Sequence, residues 1–145
     1  CVVQHNVAYW VHCGDSRLYA VRNGRLLLRT RDHSYMEQGE FFAVNTKNIN
    51  RNVLFTCLGS PSRPIFDVSL PMMLRQKDRI MLCSDGLWGN LSDEEILGYL
   101  TNVDRPLSEE LPEMVEESLR RGGATCDNTT VIALSWDMPS VKDDS

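Results

Sequence analysis

The chain has 145 residues, 42% of them hydrophobic, with five cysteines and a formal net charge of −5. That length fits one domain or part of one, and the hydrophobic content is that of a globular protein. The negative charge, with no basic cluster beyond pairs such as Arg120-Arg121, argues against nucleic-acid binding. No apolar run approaches the roughly 20 residues of a membrane-spanning helix.

The first third reads as antiparallel β. Cys1-Val2-Val3-Gln4 has strand character, and Val7 to Cys13 predicts a single strand. Gly14-Asp15-Ser16 makes a tight connection to a strand over Arg17 to Arg22. Asn23-Gly24 is the favoured pair for a two-residue type I′ turn, and Arg25 to Thr30 returns as the partner strand. Residues 31–50 are polar and irregular, a candidate flap with a short helix over Tyr35 to Phe42. Short strands follow over Val53 to Cys57 and Ile65 to Leu70. The apolar run Ile80 to Cys83 reads as a buried strand. It stops abruptly at Ser84-Asp85-Gly86, where Gly86 lets the chain turn beside the carboxylate.

Two helices come next. Ser92 and Glu95 form a capping box for a helix running to about Asn102, with Ile96, Leu97 and Leu100 on one side. Ser108 is the expected cap of the second. Glu109, Glu110 and Glu113 suit its positive end, and Arg120 and Arg121 its negative end. Gly122-Gly123 terminates it. Leu111, Val115, Ser118 and Leu119 form its predicted packing stripe, and Pro112 is expected to delay its start. Asp127-Asn128 then precedes a strand over Thr129 to Leu134. Hairpins first and helices later give an α+β class.

Cys1, Cys13, Cys57, Cys83 and Cys126 are odd in number and lack C-x-x-C spacing. They fit reduced, structural cysteines of a cytoplasmic protein better than a disulfide framework or a zinc site. His5 and His12 offer no partner at ligand spacing. Asp15, Asp85 and Asp127 each stand at the end of a predicted core strand. Three acids so placed point to a metal site built from hard oxygen ligands. On residue types alone, an Asp beside Gly or Asn is also a common turn former.

The motifs Gly14-Asp15-Ser16-Arg17, Thr30-Arg31-Asp32-His33-Ser34, Ser84-Asp85-Gly86-Leu87-Trp88 and Asp127-Asn128-Thr129-Thr130 occur in the order of a known family. Arg51 to Gly59 matches a fifth, weaker motif. The chain thereby resembles the metal-dependent (type 2C) serine/threonine protein phosphatases over all but its acidic end. The resemblance implies part of a four-layer α-β-β-α sandwich with two antiparallel sheets. It implies hydrolysis of phosphoserine and phosphothreonine by a metal-activated water at a binuclear Mg²⁺ or Mn²⁺ site. Asp85 and Asp127 would be ligands of one catalytic metal. Asp15 would serve a further, loosely held ion or simply cap its turn. Many members carry an Asp where this chain has Gly89, a departure from the ligand set of that further ion. Arg17 and His33 fall in structural roles, and Trp88 in the core.

The family's Asp-Gly-His-Gly segment, with its catalytic His, and its phosphate-binding Arg are absent from this sequence. Residues 1–137 are therefore expected to be the C-terminal part of a catalytic domain truncated at its N-terminus. Residues 138–145 are expected to form an acidic flexible tail. Such a piece is expected to be inactive alone and to self-associate. Phosphorylated proteins and a cognate serine/threonine kinase system are the implied partners, with no nucleic acid and no membrane. The alternative is a non-catalytic, phosphatase-like binding or regulatory module.

Overall fold

A computed structural model of the chain describes residues 1–39 and 49–138. Its strands are β1 (Val2–Gln4), β2 (Val7–Tyr9), β3 (Val11–His12), β4 (Arg17–Arg22), β5 (Arg25–Arg29), β6 (Asp67–Val68), β7 (Met72–Met73), β8 (Asp78–Cys83) and β9 (Val131–Trp136). Its helices are α1 (Asp85–Trp88), α2 (Asp93–Leu100) and α3 (Leu107–Gly122). The β4–β5 hairpin closes through Asn23 and Gly24, whose φ angles of 51° and 68° are both positive, as a type I′ turn demands.

The main sheet has the order β5-β4-β8-β9 and is antiparallel throughout. Alternation along its strands sends side chains to two different cores. Tyr19 and Val21 of β4, with Met81 and Cys83 of β8, pack against Leu87, Ile96, Leu100 and Met114 of the helices. Leu18, Ala20 and Ile80 face the other way. They pack with Ala8 and Leu74, and with half-buried Trp10 and Met72 of the smaller β1-β2-β7 sheet region. The result is an α+β arrangement of antiparallel sheets with helices over one face of the main sheet. Arg79 of β8 pins the helical layer. It pairs with Glu110 of α3 at 2.8 Å, both side chains being almost fully buried, and it donates to the Leu100 and Arg105 carbonyls.

Several elements differ from the sequence reading. The strand expected over Val7 to Cys13 is two strands, because Trp10 leaves the ladder and its N–H donates to the Ser69 hydroxyl at 2.9 Å. Val53 to Cys57 forms only an isolated bridge between Leu54 and Ser34. Ile65 to Leu70 shrinks to β6. Helix α3 starts at Leu107 with Pro106 as its N-cap, not Ser108, because the Pro106 carbonyl already accepts from the Glu109 and Glu110 amides. Pro112 lies inside the helix and delays nothing. Of the expected α3 stripe, Leu111 and Val115 pack against the core and Ser118 is buried, with Glu110 and Met114 beside them, whereas Leu119 is exposed. Of the short helix expected over Tyr35 to Phe42, residues 40–42 lie outside the described residues, and Tyr35 to Glu37 form a turn. Of the expected tail, only Met138 is described.

Candidate metal centre

Strand β8 ends at Cys83, and the chain enters helix α1 directly, so Asp85 is the first helical residue. The neighbouring strand β9 begins at Val131, opposite Cys83. The pairing continues past both strand ends. The Ser84 N–H donates to the Thr130 carbonyl at 3.0 Å. The Ser84 hydroxyl donates to the Asn128 carbonyl and accepts from the Thr130 N–H, each at 3.0 Å. One side chain thus ties the segment carrying Asp85 to the segment carrying Asp127.

Gly86 makes that approach possible. A Cβ there would stand 2.5 Å from the Asn128 carbonyl oxygen and 2.7 Å from the Thr129 hydroxyl. Its φ is not positive. The sequence reading of Gly86 as a sharp turn is therefore corrected: it is a helical residue that leaves room for a crossing chain. Asn90 adds a second tie, its side-chain amide donating to the Gly86 carbonyl at 3.1 Å and to the Cys126 sulfur at 3.3 Å.

Asp15 reaches the same region from the β3–β4 connection. Gly14 precedes it with φ 106°. Gly14 exchanges two hydrogen bonds with His33: its carbonyl accepts from the His33 amide at 2.8 Å, and its N–H donates to Nδ1 at 3.1 Å. The Trp88 indole N–H donates to the Asp15 carbonyl at 3.0 Å. Burial, and next the negative charge of Asp85, raise the Asp15 carboxyl above the ordinary carboxylate range. The effect of Asp85 brings these two acids into one electrostatic neighbourhood. Asp127 is exposed, and its carboxylate accepts from the Asn128 amide at 2.7 Å.

The remaining acids of the region are neutralised. Arg17 grips Asp32 with two hydrogen bonds, of 2.9 and 2.8 Å, and reaches Asp93 at 3.3 Å. At the far end of β8, Arg22 pairs with Asp78 at 2.6 Å. By contrast, Asp15, Asp85 and Asp127 have no ion-pair partner among the described residues. Partly buried Asp15 and Asp85 and exposed Asp127, none with an ion-pair partner, are oxygen donors of the type a hard divalent ion takes. The Cys83 thiol at the end of β8 is buried, and that burial pushes it up to about 12.

The three acids are not a preassembled trio. The described residues bring one trio of potential ligand atoms within 4.8 Å of one another: His12, His33 and Asp67. The expectation that His12 has no partner at ligand spacing is corrected here, because β3 pairs with β6 and sets His12 opposite Asp67. Hydrogen bonding nevertheless argues against a metal on this trio. The Gly14 N–H points at His33 Nδ1, so the ring proton sits on Nε2, which donates to Asp67 at 3.1 Å. A metal on Nε2 would move the proton to Nδ1, against another donor. His33 is therefore a clamp for the Gly14-Asp15 turn. Sequence reasoning missed Asn90 and Ser84 as positioning residues, and neither sits in a pattern that marks such a role.

No protein-family model matches the chain. It is 33% identical over 128 residues to the serine/threonine protein phosphatase PstP of Mycobacterium tuberculosis, covering 84% of this chain and 24% of PstP. Its fold matches a solved serine/threonine phosphatase of S. agalactiae with a TM-score of 0.78 and 27% identity, over 94% of this chain and 56% of that one. It also matches a PstP catalytic domain solved in complex with two manganese ions, with a TM-score of 0.71 and 32% identity, again over 94% of this chain and 56% of that one. The chain thus spans a quarter of the PstP sequence and a little over half of the solved chains. Its ordered motifs, its sequence similarity and its fold are those of part of the catalytic domain of the metal-dependent (type 2C) serine/threonine protein phosphatase family.

Proposed function

We propose that this chain is part of a protein serine/threonine phosphatase that works at a binuclear Mg²⁺ or Mn²⁺ site on phosphorylated proteins in the cytoplasm, opposite a cognate kinase. Asp85 and Asp127 would hold a catalytic ion, and Asp15 a further, looser one. Bound divalent ions supply an activated water and neutralise charge around phosphorus. The chain's own residues prepare the place. Ser84 and Gly86 set the distance between the two acid-bearing segments. His33 and Trp88 fix the turn that carries Asp15. Arg17 occupies Asp32 and Asp93, which leaves the three site acids as the unneutralised ones.

The observation that carries this reading is the double hydrogen bond of the Ser84 hydroxyl across to Asn128 and Thr130. It holds together two motifs that are remote in sequence, each with an unpaired acid. The test is calorimetric titration of the chain with Mn²⁺. Few carboxylates plus water make a weak site, and Asp85→Asn and Asp127→Asn should each weaken it at least about tenfold. Circular dichroism should show the fold intact. Unchanged Mn²⁺ affinity in Asp85→Asn would overturn the ligand assignment.

A further inference from the structure

Arg51 is exposed and lies beside helix α1. Its Nη1 donates to the Gly89 carbonyl at 3.1 Å, and its guanidinium carbon lies 5.3 Å from the Trp88 ring centroid. On the ring's other contact, Arg17 lies at 3.8 Å. Arg17 pairs with carboxylates, and Arg22, Arg79, Arg105 and Arg121 each have at least one carboxylate partner. Arg51 has no carboxylate partner among the described residues. Its seat depends on the missing side chain of Gly89, where a Cβ would stand 2.7 Å from Arg51 Nη2 and 2.7 Å from the Asp85 carbonyl oxygen.

This arginine is therefore held, not waving, with one donor used and the rest of its fork unclaimed. Its two anchors are themselves part of the acid site. The Gly89 amide donates to the Asp85 carbonyl at 2.8 Å, and Trp88 holds the Asp15 carbonyl. An anionic segment approaching three unpaired acids on a chain of net charge −5 meets repulsion. A planar fork of N–H donors at the rim of those acids offers the compensating contact.

We propose that Arg51 is an anion-docking point: it takes an anionic oxygen group, phosphate or carboxylate, from a protein segment entering beside Asp15 and Asp85. The inference rests on the phosphatase reading for its account of what enters there. The geometry of Arg51 itself is independent of any ion.

The test is titration of the chain with three short peptides of one neutral backbone sequence, in buffer with EDTA. One carries phosphoserine, one has aspartates in its flanks, and one has neither. The chain should bind at least one anionic peptide more tightly than the neutral one. Arg51→Ala should weaken that binding about tenfold, the size of one charge-assisted hydrogen bond. Arg51→Lys should restore less than half of the loss, because it keeps charge without the fork. An Arg51-dependent preference for the phosphopeptide identifies phosphate as the source, and one for the acidic flanks identifies carboxylate. Equal affinity of the wild-type chain and Arg51→Ala for every peptide, or no binding by the wild-type chain, overturns the proposal. Thermal melts of each variant show whether folding is retained. Since EDTA removes divalent ions, failure here leaves the Mn²⁺ titrations of Asp85→Asn to judge the phosphatase reading on their own.

Discussion

At the scale of single residues, Gly86 is the position with least freedom. Its missing side chain is replaced by the backbone of Asn128, so even a methyl group collides with a carbonyl that cannot swing away. Gly86→Ala should cost about 1–3 kcal/mol, as overpacking does, and should push the Asp127 segment off Ser84. Urea unfolding with a Mn²⁺ titration alongside checks both. An unchanged midpoint with unchanged Mn²⁺ affinity would show that the close approach does not matter. The candidate acids Asp15, Asp85 and Asp127 stood out in the sequence as acids at strand ends, and their reading as metal ligands came from the family resemblance rather than from that local signal. The reason for Gly86 was not legible, since nothing in Ser-Asp-Gly announces which distant backbone will cross it. Nor was the pairing of His12 with Asp67, which depends on two strands of two residues each. Arg51 belonged to a recognisable motif, but its lack of a carboxylate follows only from where the others are spent.

At the scale of elements, α3 shows how its two ends are treated. Its first turn carries Glu109 and Glu110 and its last Arg120 and Arg121, in line with the helix dipole. Near the far end, Arg120 and Arg121 both donate to Glu117, and Arg121 also reaches Glu95 of α2 at 2.6 Å. The two guanidinium groups hold the Glu117 carboxyl down at about 2, below its ordinary 4.5. A lowered carboxyl stabilises the fold above its ordinary value. That contribution is lost as pH falls from 4.5 to about 2. Glu117→Gln should therefore melt below the parent chain at pH 7, with the gap closing towards pH 2. Because the pairs lie at the surface, added salt should shrink the gap at pH 7 as well. A gap that persists at pH 2 would contradict the assignment. The capping box of α2 and the glycine stop of α3 were readable locally, because such caps use residues three or four apart. The burial of Glu110 was not, because its partner Arg79 lies 31 residues earlier on a strand.

At the scale of the whole molecule, one face of the sheets stays open. Val3, Ile80, Leu82, Ile132 and Leu134 line an open apolar cavity of about 470 Å³. Val2, Val11, Val68 and Ile132 are between 58% and 69% exposed, far beyond what scattered surface residues need. The outer edge of β9 has no strand partner among the described residues. This chain should therefore self-associate. Sedimentation across a hundredfold concentration range should show the average mass rising, and a single monomeric species throughout would refute it. The α+β class and the main hairpin were readable in advance, whereas which apolar face stays uncovered was not. The bridge at Ser84 also bears on the order in which the molecule assembles. It joins residues 46 apart in sequence, with all three helices between them. Closing so long a loop is entropically costly until the helices have docked and shortened it. The segments carrying Asp85 and Asp127 are therefore expected to meet late in folding. An ion held there would have nothing to grip while the chain is still finding its shape, so it would act as a latch on the finished fold, slowing its opening without hastening its formation.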